Sequence, residues 1–227
     1  MTSKFCFALS TLTALTALTL GSAAHAQSQG SWLVRGGFTQ LAPQVSSGTL
    51  SAPSLPGAQS GVGNSTQLSG GITYMVSNNL AIDLPLALPF EHDLYGAGSI
   101  AGVGKIGSSK ALPATLMLQY RFGEAGAVFR PYLGIGATYA KFDGERSTAA
   151  LSALTGGTPA NPTTLSIQSK GAVTYQMGGS YKIDERWFVD GALTKTPLKT
   201  RNTLSTGQTL DITLNPIGVS LGVGMRF

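Results

Sequence analysis

The last eleven residues of this 227-residue chain alternate strictly between apolar and small or polar side chains. An alternation of period two places one set of side chains on each face of a β-strand. Eleven residues is long for a strand at the surface of a soluble domain, but it matches the roughly 9–11 residues of a tilted strand that crosses a bilayer. The sequence therefore predicts a membrane-spanning strand that ends on the final residue. Its apolar positions are Ile217, Val219, Leu221, Val223, Met225 and Phe227.

The same alternation occurs in seven earlier segments, which makes eight predicted strands. One of these segments carries a long apolar face, formed by Leu80, Ile82, Leu84, Leu86, Leu88 and Phe90. Close to the C-terminus the parity changes, because Leu210, Ile212 and Leu214 occupy even positions while the last strand uses odd ones. We therefore expect a β-bulge at Pro216, which would return both stretches to one outward face.

The connections between the predicted strands alternate in length. Short turns are expected at residues 77–79, 123–128 and 184–186. Long polar loops are expected at about residues 43–63, 93–109, 143–164 and 199–208. Short periplasmic turns and long extracellular loops are the pattern of bacterial outer-membrane barrels, so both ends of the barrel chain are predicted to be periplasmic.

The composition separates this prediction from a soluble β-sandwich. Charged residues make up 11% of the chain, well below the roughly 25% of an ordinary soluble domain. A sandwich would carry many more Lys and Glu residues on its water-facing side. Here the second face is mainly Gly, Ser, Ala and Thr, which are small enough for the inside of a narrow barrel. We predict an all-β fold, an eight-stranded antiparallel transmembrane β-barrel surrounded by the lipid of the bacterial outer membrane.

The N-terminal segment, residues 1–26, has the features of a cleaved secretory signal peptide. Lys4 precedes an apolar stretch, and residues 24–26 form a small-x-small cleavage site. The alternative is an uncleaved N-terminal anchor, for which the apolar stretch is short. The single cysteine, Cys6, lies in this segment, so the predicted barrel domain, residues 27–227, contains no disulfide.

Parity also predicts which side chains point into the barrel. Four large apolar or aromatic residues have inward parity, namely Met75, Met117, Tyr132 and Phe188. They either line a pocket for an apolar ligand or simply fill the barrel, and parity alone does not separate these alternatives. His92, at a predicted loop entrance, is either a polar contact for a ligand or a hydrogen-bonded residue at a strand end.

Several charged residues share the inward parity. They are Arg35, Asp83, Arg121, Arg130, Asp190 and Arg226. Ionised groups are costly on the lipid face but tolerable inside a barrel when they are paired. We expect them to form a salt-bridged belt that narrows the periplasmic half of the lumen, with Asp83 and Asp190 facing inward and close to an arginine.

Other function classes find little support in the sequence. The net charge of +5 is scattered, with no basic run, so no nucleic-acid partner is expected. His92 is the only histidine after residue 26, and no serine lies in a G-x-S-x-G elbow, so we expect no hydrolase-like triad and no enzyme. No His, Cys or carboxylate cluster has metal-ligand spacing, and no cofactor is predicted.

Three motifs in order carry a family resemblance. Residues 88–92 read LPFEH, residues 112–122 read LPATLMLQYRF, and residues 130–142 read RPYLGIGATYAKF. With Trp187 and the terminal Arg226-Phe227, they resemble the outer membrane protein W (OmpW) family over nearly the whole barrel segment. The sequence departs from that family at two positions, where Thr138 and Ala114 replace a frequent Asn and a frequent Pro.

The resemblance implies an eight-stranded barrel with an apolar lumen that passes small hydrophobic molecules across the outer membrane, or sideways into it. It also implies that Phe227 is a signal for the outer-membrane assembly machinery. Two alternatives remain open: a structural or surface-interaction barrel with a filled lumen, acting as a receptor or in stress, and a lipid-modifying enzyme. The transported solute, the transport direction and the oligomeric state do not follow from the sequence.

Overall fold

The computed structural model describes residues 27–227. The predicted signal peptide, residues 1–26 with Cys6, lies outside the described residues. One short helix, α1 (Ala149–Thr155), accompanies fourteen strands. The strands are β1 (Trp32–Ala42), β2 (Ser46–Ser47), β3 (Ala58–Val62), β4 (Ser65–Met75), β5 (Leu80–Ala87), β6 (Phe90–Gly98), β7 (Lys105–Arg121), β8 (Phe129–Ser147), β9 (Leu165–Ile167), β10 (Lys170–Lys182), β11 (Trp187–Lys195), β12 (Lys199–Leu204), β13 (Thr209–Thr213) and β14 (Ile217–Arg226).

Eight of these strands close into a barrel. Their order around the wall is β1, β4, β5, β7, β8, β10, β11 and β14, and β14 pairs with β1 to complete the circle. Every neighbouring pair is antiparallel. Closure matters because an open sheet edge would leave unpaired N–H and C=O groups in lipid. The predicted fold class is therefore confirmed.

The outer face of the barrel is apolar, as the alternation predicts. Phe38, Leu221 and Phe227 have 62%, 65% and 61% of their surface exposed. The inner face is built from small residues that let the strands approach closely. At Gly37, a Cβ atom would lie only 2.1 Å from the main-chain oxygen of Leu221, so only glycine fits there.

The long loops predicted at about residues 43–63, 93–109, 143–164 and 199–208 are largely strands. Strands β2, β3, β6, β9, β12 and β13 and the ends of β7 and β8 extend the barrel beyond the apolar band. In β6, Glu91 and Asp93 point outward, while His92 and Leu94 are buried inside. Because the outer face meets water here, polar residues lie outside and apolar residues inside. This inverted polarity gives the segments the composition of loops.

The expectation that a bulge at Pro216 returns both stretches to one outward face is also wrong. Leu210 and Ile212 point inward, with 6% and 2% of their surface exposed, as do the even residues of β14. Asn215, with φ of 37°, and Pro216 separate β13 from β14 without a change of parity. The change from even to odd apolar positions therefore marks the passage from water to lipid on the outer face.

The predicted outward direction of the Phe90 side chain is wrong for the same reason. It does not share the lipid face of Leu80–Ala87, because it is buried inside with 1% of its surface exposed. Leu88 and Pro89 lie between β5 and β6, and they separate a lipid-facing segment from one whose outer face meets water.

An apolar cluster covers the extracellular end of the barrel. Leu94, Ile106, Leu151 and Leu204 are buried against one another, so α1 packs onto the strand extensions. Helix α1 is capped at its N-terminus by Thr148, whose side chain accepts a hydrogen bond from the Leu151 N–H, and at its C-terminus by Gly156 in the left-handed conformation. Among residues 27–227, no helix has the length and hydropathy needed to cross a membrane.

Candidate functional site

A chamber of about 180 Å³ lies inside the barrel, between the extracellular cap and the lower lumen. For comparison, a dry protein cavity of roughly 150 Å³ can take up benzene. The chamber is therefore large enough for one small molecule or a segment of a longer one. Much of its wall is apolar, with Leu41, Phe90, Leu94, Ile167, Leu198 and Ile212 among the residues that line it.

Threonine hydroxyls form a hydrogen-bonded chain along part of this wall. Thr115 and Thr138 are 2.8 Å apart, Thr138 and Thr174 are 2.5 Å apart, and Thr174 and Thr196 are 2.8 Å apart, all measured between Oγ1 atoms. These residues come from β7, β8, β10 and the segment after β11. Since the hydroxyls satisfy one another, this part of the wall offers a ligand mainly methyl groups.

The floor of the chamber is a buried charge cluster. The Arg35 guanidinium donates two parallel hydrogen bonds to the Asp83 carboxylate, at 2.7 and 2.9 Å. Its Nε lies 3.8 Å from the Asp190 carboxylate. Thr73 also donates to Asp83, at 2.5 Å. Asp83 and Asp190 therefore both face inward and lie within reach of an arginine, as the belt hypothesis requires.

The other arginines of the proposed belt bind neutral oxygen atoms. Arg121 donates to Gln119, Ser180 and Gln27 at 2.9, 2.9 and 3.0 Å, and Arg130 donates to the main-chain oxygen of Gln27 at 2.7 Å. Arg226 lies apart and donates to the main-chain oxygen of Asp184 at 2.6 Å. The ion-paired part of the belt is thus Arg35, Asp83 and Asp190.

Gln27 was not singled out from the sequence, yet it lies at the centre of the lower lumen. Its side chain and main-chain oxygen bind Arg121 and Arg130, and only 4% of its surface is exposed. Parity could not identify it, because it precedes the first strand. It adds to the layer that closes the periplasmic end.

The four inward residues divide between two levels. Met117 lines the chamber. Met75 and Phe188 pack below it with Leu33 and Ala81. Tyr132 also lies below the chamber floor, where its hydroxyl donates to Asp190 at 3.0 Å and its ring lies 4.6 Å from the guanidinium carbon of Arg121. The sequence left open whether these residues line a pocket or fill the barrel, and they do both.

His92 lines the upper part of the chamber, in the extension whose outer face meets water. Its Nδ1 lies 2.7 Å from the main-chain oxygen of Gly63. A carbonyl can only accept, so Nδ1 carries a hydrogen and Nε2 is the acceptor of the neutral ring. Burial lowers the pKa of His92 below its usual value, which favours the neutral ring.

Beside the chamber the barrel wall has a seam, a stretch in which β5 and β6 are not paired with β7. Pairing between β5 and β7 ends at Asp83 and Met117, and pairing between β6 and β7 begins at Phe90 and Ala111. Residues 84–89 and 112–116 therefore have no partners across this seam. The unpaired stretch contains Pro85, Pro89 and Pro113, which bring no N–H group that would need a partner. Pro85 and Pro113 also line the chamber.

Within residues 27–227, the chamber shows no metal-ligand cluster and no histidine hydrogen-bonded to a carboxylate. In the part of the chain that the structure describes, no three His, Cys, Asp or Glu residues are grouped so that they could hold a metal ion. The hydrogen on His92 Nδ1 goes to a main-chain carbonyl, whereas a catalytic triad would direct it to a carboxylate. The arrangement can bind an apolar molecule and expose it to the seam in the wall.

Comparison with known proteins identifies the family. The sequence model of the OmpW family matches residues 28–227. The chain belongs to the OmpW family. This membership agrees with the resemblance that residues 88–92, 112–122 and 130–142 carry in the sequence.

The relatives and structural neighbours support the same assignment. This OmpW-family barrel is 31% identical to outer membrane protein W of Escherichia coli, over 94% of the chain and 96% of the relative. It is 29% identical to outer membrane protein W of Vibrio cholerae, over 89% and 91%. The crystal structure of the outer membrane protein OprG from Pseudomonas aeruginosa superposes with a TM-score of 0.79 at 26% identity, covering 89% of this chain and 98% of OprG. The protein is an outer-membrane β-barrel of Gram-negative type.

Proposed function

We propose that this OmpW-family barrel is a narrow channel for small hydrophobic molecules, which bind in the chamber and leave through the seam between β5–β6 and β7. The observation that carries the proposal is the position of the chamber. It lies directly above a buried charge layer and directly beside a stretch of wall without strand pairing. An apolar solute that leaves through the seam enters lipid and gives up no hydrogen bonds to water. The route towards the periplasm would instead take it through a polar, packed layer.

The lower lumen supports a sideways exit over a periplasmic one. Arg121, Arg130 and Gln27 are each at least 96% buried and joined by hydrogen bonds, and Met75 and Phe188 pack alongside. An apolar molecule that crossed this layer would break charge-assisted hydrogen bonds without replacing them. The proposal therefore separates the route of apolar solutes from any route for water or ions.

The proposed activity involves no covalent chemistry. The relatives reported above are outer membrane proteins by name, and the hydrogen on His92 Nδ1 is directed at the Gly63 main-chain oxygen and not at a carboxylate, as a Ser–His–acid triad would require. Two partners belong to the same proposal: the lipid around Leu221 and its neighbours, and the outer-membrane assembly machinery, which would contact the exposed terminal aromatic Phe227.

Replacing Met117 with glutamate tests the chamber directly. The Met117→Glu change places a carboxylate in the apolar wall, so we expect uptake of an apolar fluorescent probe to fall at least about tenfold in cells whose outer membrane carries the protein. The matched control is Phe188→Leu, which lies below the chamber and should reduce stability but leave uptake unchanged. Folded protein is quantified in both strains by the heat-dependent gel shift. Equal uptake by the Met117→Glu variant and the unaltered protein would rule out the chamber as the route.

A further inference from the structure

Two buried polar atoms in the chamber wall have no hydrogen-bond partner. They are the Ser109 hydroxyl oxygen and the Asn202 side-chain oxygen, in residues with 4% and 6% of their surface exposed. Both residues line the chamber. Buried polar groups are nearly always paired, so each such atom calls for an explanation. The threonine chain lower in the same wall is fully paired, which makes these two positions distinctive.

His92 lies beside Ser109 on the inner face. The two residues are directly opposite each other in the pairing of β6 with β7, so their side chains are neighbours. They are not bonded to each other, because the Ser109 hydroxyl has no partner. The neutral His92 ring, with its hydrogen on Nδ1 directed at Gly63, has an acceptor at Nε2. A hydroxyl that can donate or accept and a ring nitrogen that can accept thus occupy one pair of opposite positions on neighbouring strands of the wall.

The groups around this point define what would complement it. A ligand O–H group can donate to His92 Nε2 and accept from the Ser109 hydroxyl at the same time, whereas a ketone, an ether or an alkane cannot donate. Asn202, on β12, adds a second acceptor elsewhere in the wall. A ligand hydroxyl would therefore satisfy groups that an apolar ligand leaves unpaired.

The charges of the chamber disfavour an anionic headgroup. The cation that lines the chamber, Arg35, is already held by Asp83 in two hydrogen bonds and faces Asp190. A carboxylate would lose its hydration without gaining a free counter-ion. The remaining wall beside the polar point is apolar, with Phe90, Leu94 and Ile212 available for a hydrocarbon body.

We infer that the chamber selects neutral alcohols with an apolar body, whose hydroxyl is bound between His92 and Ser109. This inference rests on the proposed function and narrows its solute class. Selection arises because an alcohol that loses its water of hydration forms new hydrogen bonds with His92 and Ser109. An alkane of the same length leaves these polar groups of the wall buried and unpaired.

The single histidine of residues 27–227 makes a sharp test possible. Protein purified from the outer membrane is labelled with 15N at histidine, placed in lipid nanodiscs, and titrated with 1-octanol, octane and octanoate. We expect 1-octanol to bind about tenfold more tightly than octane, and to shift the Nε2 resonance of His92 as an accepted hydrogen bond does. Octane should bind without that shift, and octanoate should bind most weakly. Empty nanodiscs give the baseline for partition into lipid.

Two variants locate the effect. The Ser109→Ala change should remove the preference for octanol over octane without weakening octane binding. The Ser108→Ala change, one residue away and of opposite parity, should keep the preference. Equal binding of octanol and octane by the unaltered protein, or a preference that survives Ser109→Ala, would overturn the inference and leave an unselective apolar chamber. Failure of all three ligands to bind would instead overturn the proposed function. The ratio of octanol to octane affinity is measured on the unaltered protein, so this test does not depend on the folding of any variant.

Discussion

At the scale of single residues, Arg35 has the largest structural role in the lumen. Its side chain is 11% exposed and neutralises Asp83, which is fully buried, while also facing Asp190. Removing one member of a buried ion pair leaves an uncompensated charge, and this costs far more than losing an exposed pair. The chamber floor therefore depends on this one cation.

The Arg35→Met change should lower the free energy of unfolding by about 3–5 kcal/mol. The measurement is the urea midpoint of the folded protein in lipid vesicles, read from its gel shift. The matched control is Arg201→Met, which breaks the exposed ion pair with Asp211 on the extracellular side and should leave the midpoint unchanged. A urea midpoint for Arg35→Met equal to that of the control would contradict the claim that the chamber floor depends on Arg35.

At the scale of strands, the proposed function depends on the seam between β5–β6 and β7. Prolines in the unpaired stretch reduce the number of unsatisfied N–H groups, so the wall can open locally without the full penalty of a free sheet edge. Ala87 lies on the inner side of the seam and lines the chamber.

Filling the seam should slow exchange between chamber and lipid. In the Ala87→Trp variant we expect uptake of an apolar probe to fall several-fold, while the melting of the barrel stays close to that of the unaltered protein. Ala137→Trp is the matched control, because Ala137 is exposed on the outer face at the level of Leu116. Unchanged uptake in Ala87→Trp would mean that solutes leave by another path.

The strands also show where sequence reasoning succeeds and where it fails. The membrane-spanning segments could be predicted because lipid imposes one rule on the outer face, and Leu221 or Phe38 obeys it. Above the membrane the outer face meets water, and the rule inverts. Phe90 and Ile212 were therefore assigned to the wrong face, and strands such as β6 and β12 were largely taken for loops.

At the scale of the whole molecule, the fold and the inward side chains followed from parity, but the site did not. Parity predicts that Met117 and Phe188 point inward, but it does not give their positions along the barrel axis. That position decides whether a residue lines the chamber, as Met117 does, or packs below it, as Phe188 does. The partners of Arg121 and Arg130 include Gln27, which lies outside any strand. The seam depends on which residues of β7 lack partners, and only three-dimensional pairing reveals this.

The whole barrel thus combines a periplasmic half filled by buried, hydrogen-bonded side chains, an apolar chamber and a lateral seam. Each part alone is compatible with a structural barrel, but together they fit a passage for apolar molecules. The filled half predicts that the protein conducts apolar solutes without conducting ions, because Arg35, Asp83 and the residues below close the axial route.

Flux into vesicles with an outer leaflet of lipopolysaccharide tests this claim most directly. Purified protein is reconstituted, and the entry of an apolar fluorescent probe is compared with that of a size-matched charged analogue. We predict that the protein accelerates the apolar probe at least about tenfold over protein-free vesicles and leaves the charged analogue at the protein-free rate, as expected if the charged form must lose its hydration. Equal acceleration of both probes, or acceleration of neither, would contradict the account.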